Sequence, residues 1–364
     1  MGKKKLIIHD VNKSFVVNGQ SVDVLKDINL EIEEGDFVVI VGHSGCGKST
    51  LLKMIAGLEK NDTGILSVDG KEVDGPGMDR GMIFQEHRLF PWMSIEKNVQ
   101  LGLKGLSKEE KRKLSDQYLE LVKLSEFKKA YPSQLSGGMS QRAAIARSLV
   151  SQPEILLLDE PFAALDSYLK WKMEQQMMDL LKDIQKPALF VSHSRDEVYR
   201  LCDTVSCINQ GKMEVIEPVK EFFKNPKTKT AALLSGCKNI CSVELVKDLE
   251  PTETPMQDKS FGKLWAAEWG VAFDVSKEAL TARTVGIRAH YLMQKKPKEG
   301  HITELTVGEY RILEDPFEWN ISFRKDENCE WLQWKISKSD WNPSVGVPKV
   351  LYAREEDLLL LDRE

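Results

Sequence analysis

A glycine-rich segment over residues 42–50, GHSGCGKST, carries residue types that bind phosphate groups. It fits the pattern GxxxxGK(S/T), follows the apolar run 37–41 and precedes the apolar residues 51–55. Glycines let backbone N–H groups converge on phosphate oxygens, and a following helix adds the positive end of its dipole. We expect Lys48 to reach the β- and γ-phosphates of a nucleotide and the Ser49 hydroxyl to bind Mg²⁺. The predicted nucleotide-binding residues here are Gly42, His43, Ser44, Gly45, Cys46, Gly47, Lys48, Ser49 and Thr50.

Two adjacent acids follow a second apolar run, residues 155–158. The run ends at Asp159 and Glu160, so both carboxylates would lie at the end of a buried strand. An Asp in this place can hold Mg²⁺ through water, and a neighbouring Glu can accept the proton of an attacking water. The two segments together predict nucleotide hydrolysis, with Asp159 as a metal-binding residue and Glu160 as the general base.

The elements that would position these residues are short β-rich runs alternating with helical stretches, from residue 5 to about residue 230. Residues 107–129 and 168–184 have helical periodicity, and Ser107 and Glu110 have the spacing of a capping box. This alternation predicts the α/β class, with a mainly parallel sheet covered by helices. Together with the phosphate-loop motif it is typical of a P-loop NTPase. The candidate buried strands are residues 37–41, 155–158 and 188–191.

The composition changes near residue 225, where Asn225 and Pro226 open a segment typical of a linker. Six of the eight tryptophans lie beyond it, and short segments such as 284–288 and 331–336 resemble strands between turns. We therefore predict two domains. A nucleotide-binding domain would cover residues 1–230, and a smaller β-rich accessory domain would cover residues 231–364.

Length and composition exclude several classes of protein. The 364 residues are enough to bury a core without disulfide or metal support, and a formal net charge of −5 gives no basic field for nucleic acid. The longest apolar runs are far shorter than a membrane span, and the N-terminus lacks the apolar stretch of a secretory signal. The six cysteines do not have the spacing of a zinc site, which favours reduced thiols and a cytoplasmic location.

A third motif, LSGGMSQR over residues 135–142, stands ahead of an alanine-rich helical stretch. Together with the phosphate loop and the paired acids, it resembles the ATP-binding-cassette (ABC) ATPases, and the order of elements over residues 5–230 is similar to that family throughout. The resemblance implies the ABC ATPase cassette fold, in which a helical subdomain is added to the mainly parallel sheet and its helices, and it implies ATP and Mg²⁺ as cofactors. It also implies that Phe15 stacks on adenine, that Gln85 contacts Mg²⁺ and the attacking water, and that His193 contacts the γ-phosphate. The implied catalytic residues are Glu160, His193 and Gln85, and the implied Mg²⁺ ligands are Ser49, Gln85 and Asp159.

The mechanism implied by this resemblance is a head-to-tail dimer of two copies. The small residues of the signature in one copy would cover the γ-phosphate bound to the other, since a helix N-terminus exposes backbone N–H groups. Hydrolysis would open the dimer and move partner subunits. Residues 164–166, ALD, match the family's loop after the paired acids, whereas Met139 and Ser194 depart from its pattern and are expected to tune the rate. The signature residues implied in the contact are Ser136, Gly137 and Gly138.

Residues 82–92, MIFQEHRLFPW, resemble the corresponding segment of the nitrate/sulfonate/taurine importer ATPases. Phe90, Pro91 and Trp92 form an apolar cluster that suits a coupling helix of a membrane subunit, and a locally packed loop is the alternative. The resemblance implies the ATP-hydrolysing subunit of a bacterial importer for a small anion of this type. Its partners would be a transmembrane permease subunit, a second copy of itself and, indirectly, an external solute-binding protein. It would lie on the cytoplasmic face of the inner membrane, held there by the permease.

The C-terminal part leaves other functions open. Residues 286–290, GIRAH, are similar to a strand of the β-rich regulatory domains in sulfate/molybdate- and sugar-type importer ATPases. An anion-sensing domain would use Arg288 and His290, although a structural or solvated role is favoured for both. A soluble ABC ATPase acting on DNA or ribosomes is disfavoured, because the chain has neither a long coiled-coil insertion nor a second cassette. A binding protein with vestigial hydrolysis is disfavoured by the complete set of candidate catalytic residues.

Overall fold

A computed structural model describes residues 3–163, 186–246 and 261–361 of the chain, together with Tyr168, Lys170, Trp171, Lys172, Glu174, Gln175 and Asp179. The chain divides into two compact units, Met1–Lys220 and Glu221–Glu364. None of the helices in these described ranges combines the length and apolar composition that a bilayer-spanning segment needs.

The first unit contains two sheets. Six strands form the larger sheet in the order β10-β9-β3-β8-β7-β6, and every pair is parallel except β10 with β9. The apolar runs of the sequence are strands β3, β7 and β8, and nearly all their side chains are buried. The predicted mainly parallel sheet is therefore confirmed. The described strands of this unit are β1 (Lys4–Val17), β2 (Gln20–Glu33), β3 (Phe37–Val41), β4 (Thr63–Val68), β5 (Lys71–Glu72), β6 (Arg80–Ile83), β7 (Ile155–Asp159), β8 (Ala188–Val191), β9 (Thr204–Asn209) and β10 (Lys212–Pro218).

The described helices cover the sheets. Helix α3 opens on the predicted capping box, in which Ser107 Oγ accepts from the Glu110 N–H at 3.3 Å and Glu110 Oε2 accepts from the Ser107 N–H at 2.8 Å. It ends at Leu121 rather than near residue 129, because Lys123 takes a left-handed conformation with φ 57°. The predicted helix over residues 168–184 lies largely outside the described residues. The described helices are α1 (Lys48–Ile55), α2 (Ile95–Gln100), α3 (Lys108–Leu121), α4 (Gly137–Leu149), α5 (Arg195–Leu201), α6 (Val219–Lys224) and α7 (Lys229–Leu234).

The second sheet of this unit is antiparallel, with the order β2-β1-β4-β5, and the sequence pattern above does not predict it. Buried residues such as Leu6 and Ile8 alternate with less buried ones along β1, as in a sheet with one buried face. A two-residue turn joins β1 to β2, and its residues Asn18 and Gly19 have φ of 51° and 79°. Both sheets share one apolar core with α1, so the antiparallel sheet supports the phosphate loop.

The second unit is β-rich, as the sequence predicts. Its described strands form four small antiparallel sheets, in the orders β11-β15-β21, β12-β13-β14, β16-β20 and β17-β18-β19. The strands are β11 (Asn239–Ser242), β12 (Glu244–Leu245), β13 (Phe261–Ala266), β14 (Val271–Ser276), β15 (Thr284–Ile287), β16 (Ile302–Thr306), β17 (Glu309–Glu314), β18 (Glu318–Arg324), β19 (Leu332–Ser337), β20 (Val350–Arg354) and β21 (Leu358–Leu361).

Tryptophans build much of the core of this unit. The ring centroid of Trp341 lies 6.2 Å from that of Trp319 and 5.6 Å from that of Trp334. The indole N–H groups of Trp334 and Trp341 donate to the backbone carbonyls of Leu292 and Gly346, at 3.1 and 3.2 Å. Because these N–H groups are satisfied, the large rings can be buried at little polar cost. Packing therefore explains the burial of Trp334 and Trp341, whereas Trp265 is exposed.

Arg288 follows β15 and is 7% exposed. Its guanidinium donates to the backbone carbonyl and the hydroxyl of Ser235, both at 3.0 Å, and to the backbone carbonyl of Phe223. Such bonds hold the segment that contains α6 and α7 against the β-rich strands. They give a physical reason why the second unit begins at Glu221, whereas the composition of the sequence places the boundary after residue 230.

Candidate active site

The phosphate loop connects β3 to α1, and two of its glycines are required by space. A Cβ atom on Gly42 would lie 2.4 Å from the Ile208 carbonyl oxygen, and one on Gly47 would lie 2.6 Å from a methyl carbon of Leu25. Gly47 also has a φ of 105°, which other residues rarely adopt. The loop backbone therefore packs closely against neighbouring residues at Gly42 and Gly47, and neither position has room for a side chain. Such a tight glycine turn is typical of loops whose N–H groups bind phosphate.

Lys48 is held inside this loop. Its side chain is buried, with 5% exposure, and Nζ donates to the carbonyl oxygens of Gly42 at 2.9 Å and His43 at 2.8 Å. Among the described residues no carboxylate pairs with it. Nζ also donates to Cys46 Sγ at 3.7 Å. A buried ammonium group held by carbonyl dipoles and a sulfur atom, without a carboxylate partner, retains a strong attraction for an anion. The loop thus places a positive charge where the predicted phosphates would bind.

Two oxygen donors meet beside the loop. Ser49 Oγ, at the start of α1, donates to Asp159 Oδ1 at the end of β7, with a distance of 3.0 Å. Hydroxyl and carboxylate oxygens are the ligands that Mg²⁺ prefers, so these residues fit the predicted metal. The described residues contain no group of three or more His, Cys, Asp and Glu side chains that could hold a metal by themselves. A magnesium ion held by Ser49 and Asp159 would complete its coordination with phosphate oxygens and water.

The predicted general base and the predicted γ-phosphate residue lie in direct contact. Glu160 Oε1 and His193 Nε2 are 2.7 Å apart. The contact follows from the sheet, because β7 and β8 pair in parallel with Asp159 opposite Val191, and Glu160 and His193 follow these positions. Glu160 has a φ of 47°, a conformation that is costly for a residue with a side chain. A hydrogen bond of 3.1 Å from its N–H to the Val191 carbonyl holds that conformation.

Gln85 and Phe15 are placed near the site by their strands. Gln85 is exposed and follows β6, which pairs in parallel with β7 through Ile83 and Leu158, so Gln85 lies at the same sheet edge as the paired acids. Phe15 is half-buried on β1, with Lys13 Nζ 5.0 Å from its ring centroid. Lys13 pairs across the sheet with Leu25, whose side chain limits Gly47, so the aromatic ring lies on the strand that borders the phosphate loop.

The signature lies at the N-terminus of α4. Ser136 is the N-cap, and its Oγ accepts from the Met139 N–H at 3.4 Å. Ser136 and Gly137 are exposed, and a Cβ atom on Gly137 would meet open space. No hydrogen bond of the described residues joins residues 136–138 to the phosphate loop of the same chain. Residues 164–166 lie outside the described residues.

The loop after Gln85 presents an aromatic pair, Phe90 and Trp92. Their ring centroids are 5.3 Å apart, and Trp92 is 69% exposed. The loop backbone is held from inside, because the buried Asn98 accepts from the Phe90 N–H at 2.7 Å and donates to the Phe90 carbonyl at 3.1 Å. The backbone is therefore packed locally while the aromatic rings remain exposed.

The sequence motifs miss several supporting residues. Three side chains of α4 donate to backbone carbonyls in the segment 82–88. Two buried residues, Ser192 and Glu197, bracket His193 with hydrogen bonds. The only sequence signal for them is the spacing of Ser194 and Glu197, which is that of a capping box. The three side chains of α4 are Gln141, Arg147 and Ser148.

Comparison with known proteins identifies the family. A model of the ABC transporter family matches residues 25–163. An aliphatic sulfonates import ATP-binding protein of Bacillus licheniformis is 41% identical over 244 residues, which are 66% of this chain and 93% of that protein. The chain belongs to the ABC transporter ATP-binding proteins. A nitrate import ATP-binding protein of Synechocystis sp. is 48% identical to this ABC ATPase over 202 residues, which are 55% of this chain and 76% of that protein.

The solved structures show the same fold. The dimeric structure of an ATP-binding cassette in a post-hydrolysis state, bound to ADP and Pi, matches this ABC ATPase with a TM-score of 0.54 and 32% identity. The match covers 59% of this chain and 98% of that structure. The cassette fold, the binding of ATP and the resemblance to ABC ATPases are thereby confirmed. The roles of the individual site residues stay predictions that rest on the geometry above.

Proposed function

We propose that this chain is the ATP-hydrolysing subunit of an ABC importer that takes up a small anion of the nitrate or aliphatic sulfonate type. One observation carries the catalytic part: the pairs Ser49–Asp159 and Glu160–His193 stand at neighbouring ends of parallel strands. Such a site has an oxygen-ligand pair for Mg²⁺ next to a proton acceptor. The names of the two relatives support the class of transported anion.

The site residues divide the chemistry of hydrolysis among them. Lys48 and the N–H groups of residues 42–50 bind the β- and γ-phosphates, and Phe15 offers a ring to adenine. Ser49, Asp159 and Gln85 would hold Mg²⁺, which when bound neutralises charge that develops on the phosphate oxygens. Glu160 accepts the proton of the attacking water. His193 holds one carboxylate oxygen of Glu160, which leaves the other oxygen to face that water.

A second copy of the chain completes the site in this proposal. The exposed Ser136 and Gly137, with Gly138, lie at a helix N-terminus whose N–H groups suit the γ-phosphate on a partner copy. The dimeric form of the solved cassette supports this arrangement. The exposed aromatic pair, Phe90 and Trp92, fits a helix of a transmembrane permease subunit. Through that permease the chain would lie on the cytoplasmic face of the membrane and would depend indirectly on an external solute-binding protein.

The second unit has an accessory, regulatory role in this proposal. The alternative, an anion-sensing domain of the sulfate/molybdate type, would need Arg288 and His290 as ligands. Arg288 is buried and its guanidinium already donates to Ser235 and Phe223. Desolvation and the neighbouring Arg288 lower the pKa of His290, which keeps that imidazole neutral and a weak anion ligand. These contacts favour the nitrate or sulfonate type of importer over the alternative.

The proposal is tested by reconstitution with the permease subunit in proteoliposomes. ATP hydrolysis should rise when the solute-binding protein is loaded with nitrate or an aliphatic sulfonate. Stimulation by sulfate or molybdate alone would favour the alternative importer type. ATP hydrolysis that does not depend on the permease would refute the transport role.

The permease contact is tested separately with Trp92→Ala. This variant removes an exposed ring outside the active site and should weaken binding to the permease.

A further inference from the structure

The segment that carries His193 is fixed on both sides by one buried serine. The Ser194 N–H donates to Ser192 Oγ at 3.0 Å, and Ser192 Oγ donates in turn to the Glu197 carboxylate. Ser192 and Glu197 are each 3% exposed. Because Ser192 and Ser194 flank His193, this relay fixes the backbone immediately before and after the histidine.

The relay differs from an ordinary capping box. Ser194 is the N-cap of α5, and Glu197 is its third helical residue. In a capping box the carboxylate at that position accepts directly from the N-cap N–H. Here the Ser192 hydroxyl is inserted between the two groups. The carboxylate therefore serves the turn that contains His193 rather than the first turn of α5 alone.

A cation from another segment holds the carboxylate. Lys170 Nζ contacts Glu197 Oε1, while the other oxygen, Oε2, accepts from Ser192. A buried carboxylate is costly unless it is paired and hydrogen-bonded, and here both oxygens have a partner. A second ion pair, Arg200 with Glu174 at 3.2 Å, joins the same two segments one turn further from His193.

We propose that Ser192 and Glu197 are positioning residues that hold His193 against Glu160, with Lys170 fixing the Glu197 carboxylate. This inference rests on the proposed catalytic role of the Glu160–His193 pair. The imidazole reaches Glu160 Oε1 at 2.7 Å from the three-residue link between β8 and α5. Misplacement of a catalytic group by about 1 Å can cost up to roughly a hundredfold in rate, so loss of the relay should lower kcat.

The test uses the full chain with Mg²⁺ and ATP and measures kcat and KM for each variant. Ser192→Ala and Glu197→Ala should each lower kcat roughly tenfold and leave KM for ATP within about twofold. Glu197→Gln keeps an oxygen that accepts from Ser192, so it should recover most of the lost activity. Glu174→Gln is the matched control: it removes the neighbouring ion pair and should leave kcat within about twofold of the wild type.

A double-mutant cycle decides whether the serine acts through the histidine. Ser192→Ala should cause no further loss in a His193→Ala background. A full additional loss there, a loss in Glu174→Gln as large as in Glu197→Ala, or a rise in KM with unchanged kcat would overturn the inference. Thermal unfolding of every variant shows whether the fold is kept, and Ser192→Ala, the smallest change, keeps the test valid if Glu197→Ala fails to fold.

The same variants separate this inference from the proposed function. If His193→Ala hydrolyses ATP at the wild-type rate, the catalytic role of His193 is wrong and the positioning role falls with it. If His193→Ala is slow while Ser192→Ala is normal, only the positioning role is wrong.

Discussion

The replacement of Glu160 by Gln isolates one step of the proposed mechanism, the acceptance of a proton from water. The Gln side chain has the same number of non-hydrogen atoms as Glu, and its amide oxygen can still accept a hydrogen bond from His193. The backbone bond from residue 160 to the Val191 carbonyl does not depend on the side chain, so the φ of 47° should be kept. The amide cannot take up a proton at neutral pH, and the variant should therefore bind ATP normally and hydrolyse it slowly.

The size of the effect follows from the role of the group. A positioned general base contributes roughly 10²- to 10⁴-fold, which corresponds to about 3–5 kcal/mol of the activation barrier. Glu160 contacts His193 at 2.7 Å. The neighbouring carboxylate, Asp159, is already bound by Ser49 and is therefore not placed to act as the base instead of Glu160. We expect a loss of at least roughly a hundredfold in kcat.

The assay is phosphate release at saturating Mg²⁺ and ATP, combined with equilibrium binding of ATP and size-exclusion chromatography. Glu160→Gln should retain the ATP affinity of the wild type and accumulate an ATP-dependent dimer. Glu31→Gln, on an exposed part of β2, is the control and should turn over normally. Unchanged turnover in Glu160→Gln would refute the assignment of the base. A loss of ATP affinity of more than about tenfold would refute the argument that the site geometry survives the change.

Three further perturbations test other parts of the structure. Lys48→Ala removes the buried cation of the phosphate loop and should weaken ATP binding itself, so an unchanged dissociation constant would count against the cradle. Arg288→Met leaves the backbone carbonyls of Ser235 and Phe223 without this donor. The free energy of unfolding of the second unit, measured by urea titration, should fall by about 2–4 kcal/mol, and an unchanged urea midpoint would show that these bonds contribute little. The Lys5–Glu154 hydrogen bond of 2.6 Å lowers the pKa of Glu154 and raises that of Lys5 to about 12. Since the folded pKa of Glu154 lies below the unfolded value, this stabilisation is present above about pH 5 and is lost as the pH falls through the folded pKa. Lys5→Met should therefore reduce the fall in the free energy of unfolding below about pH 5. An unchanged pH dependence would contradict the role of the Lys5–Glu154 pair.

The active-site edge could be predicted from the sequence because parallel strands end on the same side of a sheet. Asp159 and Glu160 end the buried run that starts at residue 155, and His193 follows the run 188–191, so the sequence places all three at strand ends; the structure pairs these two strands side by side. The phosphate loop is local in sequence, so its spacing alone predicts its geometry. The motifs themselves are short-range patterns, whereas the pairing of β7 with β8, which brings Glu160 to His193, is seen only in the structure.

Other features depend on contacts between distant segments. Glu197 has the spacing of an ordinary capping-box residue, and only the approach of Lys170 and the burial of Ser192 give it a different partner. Arg288 lies in a motif that also suits an anion site, but its partners are Phe223 on α6 and Ser235 directly after α7, more than fifty positions earlier in the chain. The antiparallel sheet is missed for a related reason, because the pairing of β1 with β4 crosses the phosphate loop in sequence.

The hydrogen bonds of α4 join the two surfaces that the proposed mechanism requires. Gln141, Arg147 and Ser148 donate to backbone carbonyls of the segment 82–88, which leads directly into the aromatic pair. The same helix carries the signature at its N-terminus. A helix and a loop connected by several hydrogen bonds cannot be displaced independently without breaking some of these bonds. If a permease segment binds the aromatic pair as proposed, a movement of that pair would therefore be transmitted to the signature, and closure of two copies over ATP would be transmitted to the permease contact.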